Sequence, residues 1–199
     1  MLPFEFYQNE DVVGLARSLL GCRIVSEFSP SITLSGIIVE TEAYRAPEDR
    51  ASHAFNNRRT PRTETMYRAG GVAYIYLCYG IHHLFNVVTG PVDRPHAILI
   101  RAVQPIENID TMRQLRGASS ITPRLTNGPG KWTRAMAISL RHNGLPLYHA
   151  EGDIRLLKRM SYLSEDDIVS SPRVGIDYAK EWKDKPWRFR IKGNPWVGK

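Results

Sequence analysis

Two carboxylates end an apolar run in Ile37-Ile38-Val39-Glu40-Thr41-Glu42-Ala43-Tyr44. A β-branched run of this kind predicts a buried strand. Side chains alternate along a strand, so Glu40 and Glu42 share one face, about 7 Å apart. Solvating a strand end does not require glutamate at both positions. Paired carboxylates at the mouth of a core suit acid/base chemistry on a bond between them or on a water. The competing reading is two separate ion pairs to nearby arginines. Arg101, inside Leu99-Ile100-Arg101-Ala102-Val103, fits either: a nearly buried guanidinium needs a carboxylate or a phosphate. Glu42 or Glu40 is its natural partner, and the pairing would hold the carboxylate ionised.

A second set is aromatic. In Tyr74-Ile75-Tyr76-Leu77-Cys78-Tyr79-Gly80, Tyr74 and Tyr76 share a strand face and Tyr79 falls beside a glycine where the chain turns. A buried tyrosine hydroxyl needs a partner, whereas tyrosines on a face suit stacking on bases. A tyrosine at a hairpin tip suits wedging into a base stack. Asn86, on the return strand, both donates and accepts, which suits reading a base edge. His53 reads as a stacking or hydrogen-bonding ring, or as a plain surface histidine. Adjacent His82 and His83 point to opposite faces of a strand and cannot chelate one metal together. Neither they nor the two cysteines, Cys22 and Cys78, have metal-ligand spacing, so no metal is expected.

A third set is basic. The net charge of +7 and pI near 9.6, with 10% aromatics, suit a polyanionic partner. Arg58-Arg59-Thr60-Pro61-Arg62 is a turn-rich loop, and Arg113, Arg116 and Arg124 flank a polar connection. Arg188, Arg190 and Lys192 alternate with Trp187, Phe189 and Ile191, predicting a strand with one basic and one apolar face. Thr126-Asn127-Gly128-Pro129-Gly130-Lys131 precedes a helix, where free N–H groups and Lys131 suit a phosphate. Trp132 follows the lysine, so this is not a nucleotide-binding P-loop.

The elements that must position these groups follow from patterning. Asn9 is expected to cap a helix over Glu10–Leu20 that Gly21 ends. Strands are expected near Arg23–Glu27, Ser35–Thr41, Val72–Cys78, His83–Val88 and Ala97–Val103, with closing strands at Arg173–Ile176 and Arg188–Ile191. Helical periodicity marks Asn108–Arg116 and Pro129–Ile138. Residues 45–70 are loop-rich and 141–172 weakly patterned. With no βαβ alternation, the expected architecture is α+β: one domain over residues 1–199, with a mostly antiparallel curved β-sheet, short helices around it and a protruding β-hairpin. No window approaches the ~20 apolar residues of a membrane span. Met1-Leu2-Pro3-Phe4-Glu5 does not read as a signal peptide, and the cysteines read as reduced core residues of an intracellular protein.

Taken together, these segments resemble the alkyladenine (3-methyladenine, or N-methylpurine) DNA glycosylases. The likeness runs from about Leu2 to Trp196. It rests on Val39-Glu40-Thr41-Glu42-Ala43-Tyr44, Pro47-Glu48-Asp49 with His53, Thr60-Pro61-Arg62, Tyr74 to Gly80, Asn86, Leu99-Ile100-Arg101-Ala102, Thr111 to Arg116, Asn127-Gly128-Pro129-Gly130-Lys131 and Gly193-Asn194-Pro195-Trp196. It implies that Glu42 is the general base and that Arg101 lies near the catalytic water and the lesion phosphate. Tyr44, His53 and Tyr76 would sandwich the flipped base, Asn86 would disfavour guanine, and Tyr79 would fill the hole in the duplex. Arg58, Arg59 and Lys131 are expected at the DNA backbone. The departures from the family pattern lie at His82-His83-Leu84-Phe85 and bear on lesion preference. The implied partner is double-stranded DNA holding damaged purines. A monomer without cofactor, cytoplasmic (nucleoid-associated) or nuclear, is expected. Glu40 is expected to support the strand end rather than act on substrate. The rival readings are a nucleic-acid-binding module without chemistry and a hydrolase of small glycosides.

Overall fold

The β-branched runs set the frame. In the computed structural model, which describes residues 1–198, the chain order is α1 (Phe4–Tyr7), α2 (Val12–Ser18), β1 (Arg23–Ser29), β2 (Ile32–Tyr44), β3 (Ala73–Cys78), β4 (His82–Thr89) and β5 (His96–Glu107). There follow α3 (Ile109–Arg116), α4 (Pro129–Ala135), β6 (Ile154–Leu157), β7 (Ile168–Ser171) and β8 (Arg188–Ile191). The strands form one eight-stranded sheet in the order β3-β4-β5-β2-β1-β6, with β8 pairing both β2 and β7. Every pairing between these strands is antiparallel, as expected for this α+β class. No helix among the described residues is long and apolar enough to cross a membrane.

β2 is the axis of the molecule. β5 runs along one of its edges from Ser35 to Tyr44. The other edge is shared: β1 takes Ile32–Ile37 and β8 takes Glu40–Glu42. Flanked on both sides, the strand is nearly continuously buried from Leu34 to Ala43. Its register against β5 slips between Ile38 and Glu40 and again between Glu40 and Thr41. Bulges bend and twist a strand and re-aim its side chains; these two flank Glu40, and regular pairing resumes from Thr41 through Glu42. Beneath the sheet, Trp132 of α4 is fully buried, donates its indole N–H to the Ile100 carbonyl at 2.9 Å and meets Phe85 edge to face.

Four expectations need correction. The first long helix is α2, about one turn shorter than its periodic stripe suggests; at its start Asp11 and not Asn9 caps it: Asp11 Oδ1 accepts from the Gly14 N–H at 2.9 Å, while Asn9 Oδ1 accepts from the Asp11 N–H. Residues 173–176 are not a strand. The ladder with β8 lies earlier, at Ile168–Ser171, and ends at Pro172, which has no N–H to donate. β6 lies in the weakly patterned region; at four residues it is too short to show periodicity, and β1 and the Leu2 N–H hold it. Finally, the basic face of β8 does not all reach solvent. Arg188 is buried, because β8 pairs with the glutamate-bearing end of β2.

β3 and β4 make the expected hairpin, with Tyr79-Gly80-Ile81 at its tip between paired Cys78 and His82. Tyr79 and Gly80 both take positive φ (50° and 73°). That conformation is strained for a tyrosine, and the ring is 92% exposed.

Candidate active site

Glu40 and Glu42 are both fully buried, and Arg101 of β5 binds both. Its Nε donates to Glu40 Oε1 at 3.0 Å, and its Nη1 lies 3.3 Å from Glu42 Oε1. The two carboxylates differ in everything else. Glu40 also accepts from Arg188 Nε at 2.6 Å and from the Gly198 N–H at 2.7 Å, so both of its oxygens are tied to the closing strand and the C-terminal segment. Glu42 accepts from the Val174 N–H at 2.8 Å on Oε1 and from the Tyr44 hydroxyl at 2.8 Å on Oε2. Burial, and then the charge of Glu42, push the Tyr44 hydroxyl well above its ordinary pKa. It therefore stays protonated and serves as a donor.

Above Glu42 lies a pocket of about 500 Å³, lined by Tyr44, His53, Tyr74, Tyr76, Asn86 and Arg101, among others, with Val174-Gly175-Ile176 on one wall. Glu42 does not itself line the pocket. It meets the cavity through Tyr44 and Val174, which hydrogen-bond to it, and Arg101, which pairs with its charge.

The aromatic wall is built by register. Tyr74 and Tyr76, two apart on β3, have ring centroids 5.6 Å apart, and His53, from the loop after β2, meets Tyr76 at 4.5 Å. His53 Nδ1 is 2.9 Å from the Tyr74 hydroxyl, the partner that this buried tyrosine requires. Burial, and then the charges of Arg62 and Arg58, push His53 down to about 4. The ring is therefore neutral at neutral pH. Asn86 sits opposite Tyr74 in the ladder and spends its Nδ2 on the Tyr74 carbonyl at 3.1 Å. Among the described residues nothing donates to its Oδ1, and the side chain lines the pocket.

Tyr79 stands at the pocket rim on the hairpin tip. Lys131, at the start of α4, also lines the pocket and donates to Asn127 Oδ1 at 2.9 Å. Beside it a second crevice is lined by Arg101, Arg116, Arg124 and Lys131. Arg58 is exposed. Arg59 is less available than its neighbour: Glu64 and Asp93 hold it at 2.6 and 2.8 Å, and it stacks on Tyr67.

Four residues at the site were not among those expected there from sequence. Val174 acts through its backbone N–H, which no residue type announces. Arg62 lies over the Tyr76 ring at 5.0 Å. Arg173 and Asp49 form a fully buried ion pair behind Tyr44. Asp49 carried a signal in Pro47-Glu48-Asp49; Arg173 carried one only as an arginine after a proline.

The family model of the methylpurine-DNA glycosylases matches residues 5–195. A relative from Chlamydia felis is 49% identical over 192 residues, covering 96% of both chains. One from Bacillus licheniformis is 47% identical over 204 residues, covering 100% of this chain and 96% of its own. One from Bacillus cereus is 43% identical over 203 residues, covering 99% and 98%. All three are named for 3-methyladenine DNA glycosylase. On this match over nearly its whole length, the chain belongs to the methylpurine-DNA glycosylase family.

Proposed function

We propose that this DNA glycosylase flips alkylated or deaminated purines out of duplex DNA and hydrolyses their N-glycosidic bond with a water activated by Glu42. The substrates in view are 3-methyladenine, 7-methylguanine, hypoxanthine and ethenoadenine. The observation that carries the reading is the asymmetry of the two glutamates under an aromatic pocket. Glu40 is consumed by structural donors, whereas Glu42 is surrounded only by groups that face the pocket.

The geometry supports the following steps. Extruding a purine costs a few kcal/mol, least for a damaged pair. Tyr79, whose ring packs on nothing in the free protein, offsets this by filling the gap in the stack. The base enters between Tyr44 on one face and His53 and Tyr76 on the other, with Asn86 Oδ1 at its edge. Normal guanine is disfavoured, because Asn86 stands where its 2-amino group would have to fit, whereas the cationic 7-methylguanine offsets this by being a good leaving group. Arg101, Val174 N–H and Tyr44 hydroxyl hold the Glu42 carboxylate while it takes a proton from water attacking C1′. As the bond breaks, oxocarbenium character develops at the sugar, as in glycoside hydrolysis. Cationic 3-methyladenine and 7-methylguanine leave without further help. His53 is neutral at working pH and is not the acid for neutral lesions.

Arg58 and Lys131 suit phosphates on either side of the flipped nucleotide, and Arg101 the lesion phosphate. Lys131 is given this binding role and no covalent one, so the reaction stops at an abasic site with the strand intact. The test is incubation with methylated duplex DNA and identification of what is released. Free methylated purines with uncut strands are expected; cut strands, or no free base, would refute the reading.

A further inference from the structure

We infer that Arg173 is a positioning residue for excision, holding Glu42 and Tyr44 as one unit; the inference rests on Glu42 acting as the base. Arg173 has no exposed side-chain surface. Its Nη1 donates to the Ala43 carbonyl at 2.7 Å and to Asp49 Oδ2 at 2.5 Å, and its Nη2 donates to Asp49 Oδ1 at 2.9 Å and to the Trp182 carbonyl at 3.2 Å. The guanidinium carbon lies over the Tyr44 ring, 4.7 Å from its centre, and over the Trp187 ring, 5.3 Å from its centre. The next residue, Val174, donates its N–H to Glu42 Oε1. One dipeptide therefore touches the base's oxygen, the carbonyl of the residue between base and stacking ring, and that ring itself.

A buried ion pair is a poor way to stabilise a core, since apolar residues of similar volume do as well or better. Arg173 even leaves its Nε buried without a partner among the described residues. What an apolar filling lacks is a planar fork that ties the Ala43 carbonyl to Asp49 while its charge sits over the Tyr44 ring. Lysine lacks it too: it can pair with Asp49 but cannot make the fork and the stack together. Asp49 neutralises the guanidinium, so Arg173 sets geometry without placing net charge behind the lesion. Misplacing a reacting group by about 1 Å costs about a hundredfold in rate.

The test compares wild type, Arg173→Lys and the double variant Arg173→Met/Asp49→Leu, which removes both charges together. Each is measured for melting temperature, for affinity toward a duplex bearing a stable abasic-site analogue, and for single-turnover base release. Expected are affinity within about threefold of wild type and release at least tenfold slower in both variants, slower per folded molecule and unrelated to melting temperature. Release within threefold of wild type in either folded variant would overturn the inference. So would failure of both to fold, which would make the pair a requirement of the core alone. Glu42→Gln is run alongside. If wild type itself releases no base, the functional reading fails; if wild type releases base and Arg173→Lys does so equally fast, only the role of Arg173 fails.

Discussion

Replacing Tyr44 by phenylalanine keeps the ring and removes one hydroxyl, which separates two jobs that the structure gives to one side chain. The ring lines the pocket, and the hydroxyl donates to Glu42 Oε2 at 2.8 Å inside a fully buried site. Hydrogen bonds to charged groups are worth about 1.5–3 kcal/mol. At about 1.4 kcal/mol per decade, that is roughly a 10- to 100-fold fall in single-turnover release if the bond persists into the transition state. Stacking is untouched, so affinity for lesion-containing duplex should stay within about threefold. The assay is release from a duplex with one ethenoadenine, enzyme in excess, beside a binding titration. Release as fast as wild type or faster would refute the reasoning. It would mean that the hydroxyl merely blocks Oε2 in the free enzyme and gives way when water arrives.

Glu40→Gln should act on stability before chemistry. It breaks a buried network with Arg101 and Arg188, a loss on the order of 3 kcal/mol, while release per folded molecule falls far less than in Glu42→Gln; equal rate losses in the two would contradict the division of labour. Tyr79→Ser should leave the melting temperature unchanged, because the ring packs on nothing, yet slow release from duplex more than from single strands; equal slowing on both would refute the wedge. His53 is held down to about 4 by burial and by Arg62 and Arg58, against an ordinary value of 6.5. The unfolded chain therefore binds the extra proton first, and stability falls as pH drops from 6.5 toward 4. His53→Gln should lose less melting temperature than wild type between pH 7 and 4.5; identical losses would contradict the assignment.

The candidate site was more legible in the chain than the scaffold's edges. Glu42, Tyr44, Tyr76, His53, Asn86 and Arg101 fall around one pocket, because each sits on or beside a strand whose period-two pattern fixes its face. What separates Glu40 from Glu42 is tertiary contact, which their spacing does not encode. Arg188 and the Gly198 N–H, some 150 residues away in sequence, choose Glu40 and leave Glu42 to the pocket. β6 and β7 were missed because four-residue edge strands carry too little periodicity. Arg173 looked like a strand residue because its role lies in side-chain contacts that no spacing encodes. Arg59 looked like a free phosphate ligand; Glu64 and Asp93, distant or unpatterned in sequence, take its charge.

The central claim is that Glu42 activates the water that releases the base. Wild type and Glu42→Gln, each at concentrations above the substrate, are incubated with duplex holding one hypoxanthine or ethenoadenine, and free base and bound DNA are measured on the same samples. The account predicts release by wild type and, in Glu42→Gln, at most a few per cent of that rate with DNA binding retained. Release by Glu42→Gln at a rate comparable to wild type would contradict it.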